Sequence, residues 1–139
     1  MDRLPESNSD KRIAFLFVRL AMAISMLTHG IVRLPKLDAF SEGMVEQFSV
    51  SVLPEWLVRP WSYALPVIEL VLGLALLLGF LTRPSAIAGA VLMLVLLGGS
   101  GLVEAWGSFP SQLIHLAFFV AILLYHRYDT YALDKRRGY

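Results

Sequence analysis

Three stretches of this chain, residues 13–32, 62–81 and 84–103, are almost continuously apolar. Each runs for about 20 residues, the length an α-helix needs to cross a hydrocarbon core of ~30 Å. A fourth stretch, residues 109–125, is shorter and sits at the lower limit of that range. In a bilayer every backbone N–H and C=O must be satisfied within the segment, so isolated runs of this kind become helices. Hydrophobic residues make up 57% of the 139 residues, well above a soluble domain. Four spans consume most of the chain and leave no length for a soluble catalytic domain. The expected fold is therefore all-α: an integral membrane four-helix bundle over residues 13–125, between a polar tail at 1–12 and a second at 126–139.

Charge sets the expected orientation. Arg3, Lys11, Arg12, Arg83, Arg127, Lys135, Arg136 and Arg137 fall on one side of this arrangement, and only Arg33, Lys36 and Arg59 on the other. The positive-inside rule then puts both termini in the cytoplasm, as in a bacterial inner-membrane protein. The first run carries Arg19 and ends in Thr28-His29-Gly30, so it reads as a retained helix instead of a cleaved signal. Basic residues this few and this close to the membrane do not point to nucleic acid. The chain has no cysteine, which excludes thiol–disulfide chemistry and thiolate metal sites, and no other metal site is evident.

The connection at 33–61 is too long to be structureless. Leu37, Phe40, Met44, Val45 and Phe48 recur at helical spacing among Asp38, Glu42, Glu46 and Gln47, the pattern of an amphipathic helix resting on the outer membrane surface. A second short interfacial piece is expected around residues 53–58. Pro60 reads as a first-turn proline of the second span, and Thr82-Arg83-Pro84 as a tight turn from which Pro84 opens the third. Ser85/Gly89 and Ala86/Ala90 are small residues four apart, suited to close helix contact.

Glu69 lies near the middle of the second span. A charge at bilayer depth costs roughly 2.5 to 3.5 kcal/mol, so it needs a partner, a proton or a water-filled cavity. Arg19, His29, Arg33 and His115 are the candidates. At 100° per residue, Arg19, Met22, Met26, His29 and Arg33 share one stripe of the first helix. Ser62, Pro66, Glu69 and Gly73 share a face of the second, where Gly73 leaves room for another helix or a ligand. Gln112, His115, Phe119, Ile122 and His126 share a face of the fourth. His29, Arg33, Gln112 and His115 should then meet Glu69 in a pocket within the outer leaflet. Arg19 lies closer to the cytoplasmic end, where it could snorkel; it and Arg83 are read as structural. Glu69 has a structural alternative, as interhelical glue. Two facing histidines could ligate haem, and the Met22/Met26 pair reads as packing.

Arg19-Leu20 followed by Thr28-His29-Gly30-Ile31-Val32-Arg33-Leu34 resembles the first helix of DoxX-like membrane proteins, with Arg33 where lysine is common. Leu65-Pro66-Val67-Ile68-Glu69, running on to Gly73 and then Leu78-Gly79-Phe80-Leu81-Thr82-Arg83, is similar to the P-x-x-E-x-x-x-G…LLLG-x-x-T-R segment of that family. The likeness extends from about Val18 to Leu124. It implies a four-helix membrane bundle, and some relatives, of the DoxD type, resemble the small membrane subunit of thiosulfate:quinone oxidoreductase. The expectation that follows is a membrane subunit of a redox system, binding quinone or another lipophilic ligand. In that reading Glu69 relays protons and His29, Arg33, Gln112 and His115 hold the ligand. Such a chain is not a complete enzyme and would work with a partner subunit or as a homo-oligomer. The competing class is a non-catalytic assembly or anchoring subunit, with a haem protein or a small-solute transporter behind it.

Overall fold

A computed structural model describes residues 8–133. Arg3, Lys135, Arg136 and Arg137, which enter the charge argument above, lie outside those residues. Among the described residues the regular structure is all helical, with four helices long and apolar enough to cross a membrane. These are α1 (Asn8–Arg33), α3 (Glu55–Leu78), α4 (Thr82–Leu102) and α5 (Phe109–Tyr125); the shorter α2 (Leu37–Phe48) lies between the first two. The protein is an all-α membrane bundle with its amphipathic helix in the first connection.

Several boundaries differ from those expected. Helix α1 starts at Asn8 instead of residue 13, and α3 starts at Glu55, absorbing the separate interfacial piece expected at 53–58. Hydropathy marks only the part of a helix that suits hydrocarbon. Both helices extend beyond it, α1 through a polar first turn and α3 through a turn set off from the apolar run by Arg59 and Pro60, and Asp10 and Glu55 lie near the positive ends of the two helix dipoles. Pro60 therefore lies inside α3, not at its start. The second span ends at Leu78 because Gly79 takes the left-handed conformation (φ +64°) that closes a helix. The turn is Gly79–Leu81, with Leu81 also left-handed, and α4 begins at Thr82, two residues before Pro84.

The core is built from the buried stripes. Phe15, Met22, Ala23 and Met26 of α1 meet Leu65, Leu72 and Leu76 of α3, Ala86, Leu92 and Met93 of α4, and Phe119 and Ile122 of α5. Two crossings are close because glycines allow it. A Cβ on Gly73 would come 2.6 Å from the Leu27 amide nitrogen, and one on Gly30 would come 2.9 Å from the Pro66 carbonyl oxygen. The space beside Gly73 is thus taken by helix α1. On the other side of the bundle, Gly89 of α4 accepts the Phe119 ring of α5. Helix α4 leans on α5 and touches α3 far less than α1 does.

The apolar face of α2 turns to the bundle: Phe40 and Met44 pack against the core. Its polar side is tied to α3. Ser62 Oγ donates to the Arg59 carbonyl at 2.6 Å; since a carbonyl only accepts, the Ser41 hydroxyl is the donor in the buried 2.6 Å Ser41–Ser62 bond. Tyr63 donates to Asp38, and Arg59 bridges Glu42 and Glu55. At the opposite end of the bundle the segment after α5, expected as a tail from residue 126, folds back: Asp129 and Ala132 are buried.

Candidate functional site

The close α1–α3 crossing puts the last turn of α1 beside the middle of α3. Glu69 is 2% exposed, and Arg33 Nη1 donates to both of its carboxylate oxygens at 2.6 Å. The carboxylate thus has the partner its depth demands, and charge-assisted bonds of this length are the strong ones. Arg33 sits in the last turn of α1, where the helix dipole favours a cation. Its guanidinium lies 4.9 Å from the centre of the Phe40 ring of α2, a cation–π distance. His29 Nδ1 stands 3.6 Å from Glu69 Oε1.

Helix α5 supplies the third wall. The His115 ring stacks on His29, with centroids 5.9 Å apart and planes 25° from parallel. His115 Nδ1 is 2.7 Å from the Ser111 carbonyl and Nε2 is 2.7 Å from Ser25 Oγ of α1. The carbonyl can only accept, so the neutral ring carries its proton on Nδ1 and accepts from Ser25 on Nε2. Both nitrogens are engaged and the two imidazoles meet face to face. That arrangement does not fit a pair of haem axial ligands, whose nitrogens must point at a common iron. Gln112 Nε2 donates to Ser100 of α4 at 2.8 Å, and its buried Oε1 has no hydrogen-bond partner.

His29, Arg33, Glu69, Gln112 and His115 all line one cavity of about 660 Å³, within the size range of small-molecule sites. Apart from this polar wall its lining is mostly apolar, with Phe40, Met44 and Phe48 of α2 and Trp61 of α3 among the contributors. The five residues that the sequence placed in one pocket are therefore brought together. The two read as structural are not part of it. Arg83 is exposed in the first turn of α4. Arg19 does not snorkel; it is buried and paired with Asp129 at 2.6 Å. Met22 and Met26 are core residues. Sequence reasoning missed Ser25, whose only signal is its helical spacing from His29, and gave Phe40 as a residue of the amphipathic helix without its contact to Arg33. Among the described residues no group of three or more histidines and carboxylates could hold a metal ion.

A bundle of four membrane-crossing helices, with a buried ion pair on the wall of an apolar cavity, defines the class: an integral membrane protein with an internal polar site. The sequence matches DoxX over residues 14–103, and the chain belongs to the DoxX family. That match covers α1 to α4 and with them Glu69, His29 and Arg33; Gln112 and His115 lie beyond it. No curated protein and no solved structure matches the chain.

Proposed function

We propose that the cavity binds a quinone, or another lipophilic ligand with a polar head, and that the chain serves as the membrane subunit of a redox system. The observation that carries this reading is an apolar cavity of about 660 Å³ that ends on a buried, ion-paired carboxylate. Apolar walls suit a lipophilic body, and a few convergent polar groups orient its head. Arg33 spends one nitrogen on Glu69 and has further N–H donors to offer a carbonyl oxygen. Reduction of a quinone to a quinol takes two electrons and two protons. Glu69 and His29, 3.6 Å apart, form the titratable pair that would pass protons to the carbonyl oxygens. The chain has no cysteine to carry electrons as a thiol, and in this reading they come from a partner subunit or a soluble donor. The excess of basic residues on one side of the spans supports an orientation with both termini in the cytoplasm and the cavity in the outer leaflet of a bacterial inner membrane.

Extraction of the protein purified from its native membranes tests the reading: a quinone absorbance spectrum at a fixed ratio to protein is expected, and it should vanish for Glu69→Gln while the helical bundle persists. A stoichiometric protein partner without quinone would instead favour the assembly role. Orientation is checked with single cysteines and an impermeant thiol reagent in intact cells. Labelling is expected for Ser49→Cys and not for Asn8→Cys; the reverse would invert the topology.

A further inference from the structure

The cavity is not closed on all sides. Leu57 of α3 and Leu94, Val95 and Leu102 of α4 line it and are also 46%, 57%, 48% and 48% exposed. These four mark an opening along α4, on the side where it draws away from α3. Every one of them is apolar, whereas Arg33 and Glu69 lie on the wall between α1 and α3, and the exposed polar lining residues Gln47, Ser108 and Ser111 belong to α2, the α4–α5 connection and the first turn of α5. Leucine and valine exposed on membrane-spanning helices face hydrocarbon. Gly98 sits in this rim, and nothing lies within 4 Å of where its Cβ would be. One residue on, Gly99 meets the tip of the Phe48 ring at 3.2 Å, so the end of α2 covers the opening from above.

We infer that the ligand reaches the cavity sideways from the bilayer between α3 and α4, and that it is an amphiphile whose long isoprenoid chain stays in that gap while its head occupies the polar wall. The inference rests on the reading of the cavity as a quinone site and narrows it to long-chain members. A cavity of about 660 Å³ encloses a drug-sized molecule, not a head together with a long chain, so the chain must leave through an opening. The apolar rim is the one suited to it. Gly98 then acts as a specificity-determining position: its missing side chain is the passage.

The test uses the full chain in lipid nanodiscs and two probes, an octaprenyl benzoquinone and the same ring bearing methyl in place of the chain. In Gly98→Trp the indole fills the gap. Binding of the octaprenyl probe should fall by at least about tenfold, while the ring probe stays within about threefold of the unmodified protein. Gly43→Trp, at a glycine of α2 that does not line the cavity and whose Cβ would also meet nothing within 4 Å, should bind both probes as before and controls for the added indole. Equal losses for the two probes in Gly98→Trp, or no loss for either, would overturn the lateral route and leave the quinone site standing. Failure of the unmodified protein to bind either probe would overturn the quinone reading and this one with it.

Discussion

Among the described residues, two arginine pairs with a buried carboxylate lie toward opposite ends of the bundle, and their surroundings differ. Arg33–Glu69 and Arg19–Asp129 are both joined at 2.6 Å. Beside Glu69 lies a cavity, and Arg33 is 28% exposed through it. Arg19 and Asp129 are 3% and 2% exposed, and Gly79 packs against both the guanidinium and Ala132. The second pair fastens the segment after α5 to α1 across 110 positions of sequence, and Arg19 also reaches the Tyr131 carbonyl. An ion pair in a membrane helix is therefore not a functional site by its chemistry alone. What separates the two is whether a ligand or water can reach the carboxylate.

The comparison is broken most easily at the sealed pair. Removing one partner of a buried ion pair strands the other charge, at a cost of about 3–5 kcal/mol, so Asp129→Ala should lower thermal stability in detergent by that amount. The double variant Arg19→Met/Asp129→Leu should recover most of it, because an apolar pair of similar volume carries no desolvation cost. A silent Asp129→Ala would show that the two ends are not as different as their burial implies. At the cavity, Glu69→Leu should cost less, about 1–3 kcal/mol, since Arg33 can turn toward the open volume. Melting curves of the two variants side by side give the ranking.

The α1–α3 crossing offers a sharper distinction. Gly73→Ala would push a methyl into the Leu27 backbone and carry His29 and Arg33 away from Glu69. A loss of about 1–3 kcal/mol is expected from overpacking, together with lost ligand retention although no polar group has changed. Retention equal to the unmodified protein would mean that the crossing does not set the site. The smallest effect is expected from Ser41→Ala, which removes the buried bond to Ser62 for about 0.5–1.5 kcal/mol. Faster amide exchange confined to α2 is the readout, and unchanged exchange would mean that apolar packing alone holds this helix.

The two ends were also unequally legible in the sequence. Glu69 stands out because an apolar run makes any charge conspicuous, and helical periodicity then puts His29, Arg33, Gln112 and His115 on inward faces. The same logic finds α2 from the spacing of Phe40, Met44 and Phe48. It cannot find Asp129, one charge among many in a polar segment, nor foresee that the segment turns back to meet Arg19. The helix starts differ from the apolar runs for a related reason: the turn at Asn8 is helical without being apolar, and Arg59 and Pro60 interrupt hydropathy inside α3 without ending the helix. Which helix fills the space at Gly73 depends on the crossing of α1 with α3, a tertiary property that no single helix encodes. The opening between α3 and α4 is likewise a matter of how far two helices stand apart.

The central claim is that the cavity-side carboxylate serves a ligand and the sealed one serves the fold. Quinone content per protein, measured by extraction from parallel preparations of the unmodified chain, Glu69→Gln and Asp129→Asn, tests it most directly. Both substitutions keep side-chain shape and remove a charge. The expected result is quinone in the unmodified chain and in whatever fraction of Asp129→Asn remains folded, and none in folded Glu69→Gln. Quinone retained in Glu69→Gln at the unmodified level, or absent from all three, would contradict the account.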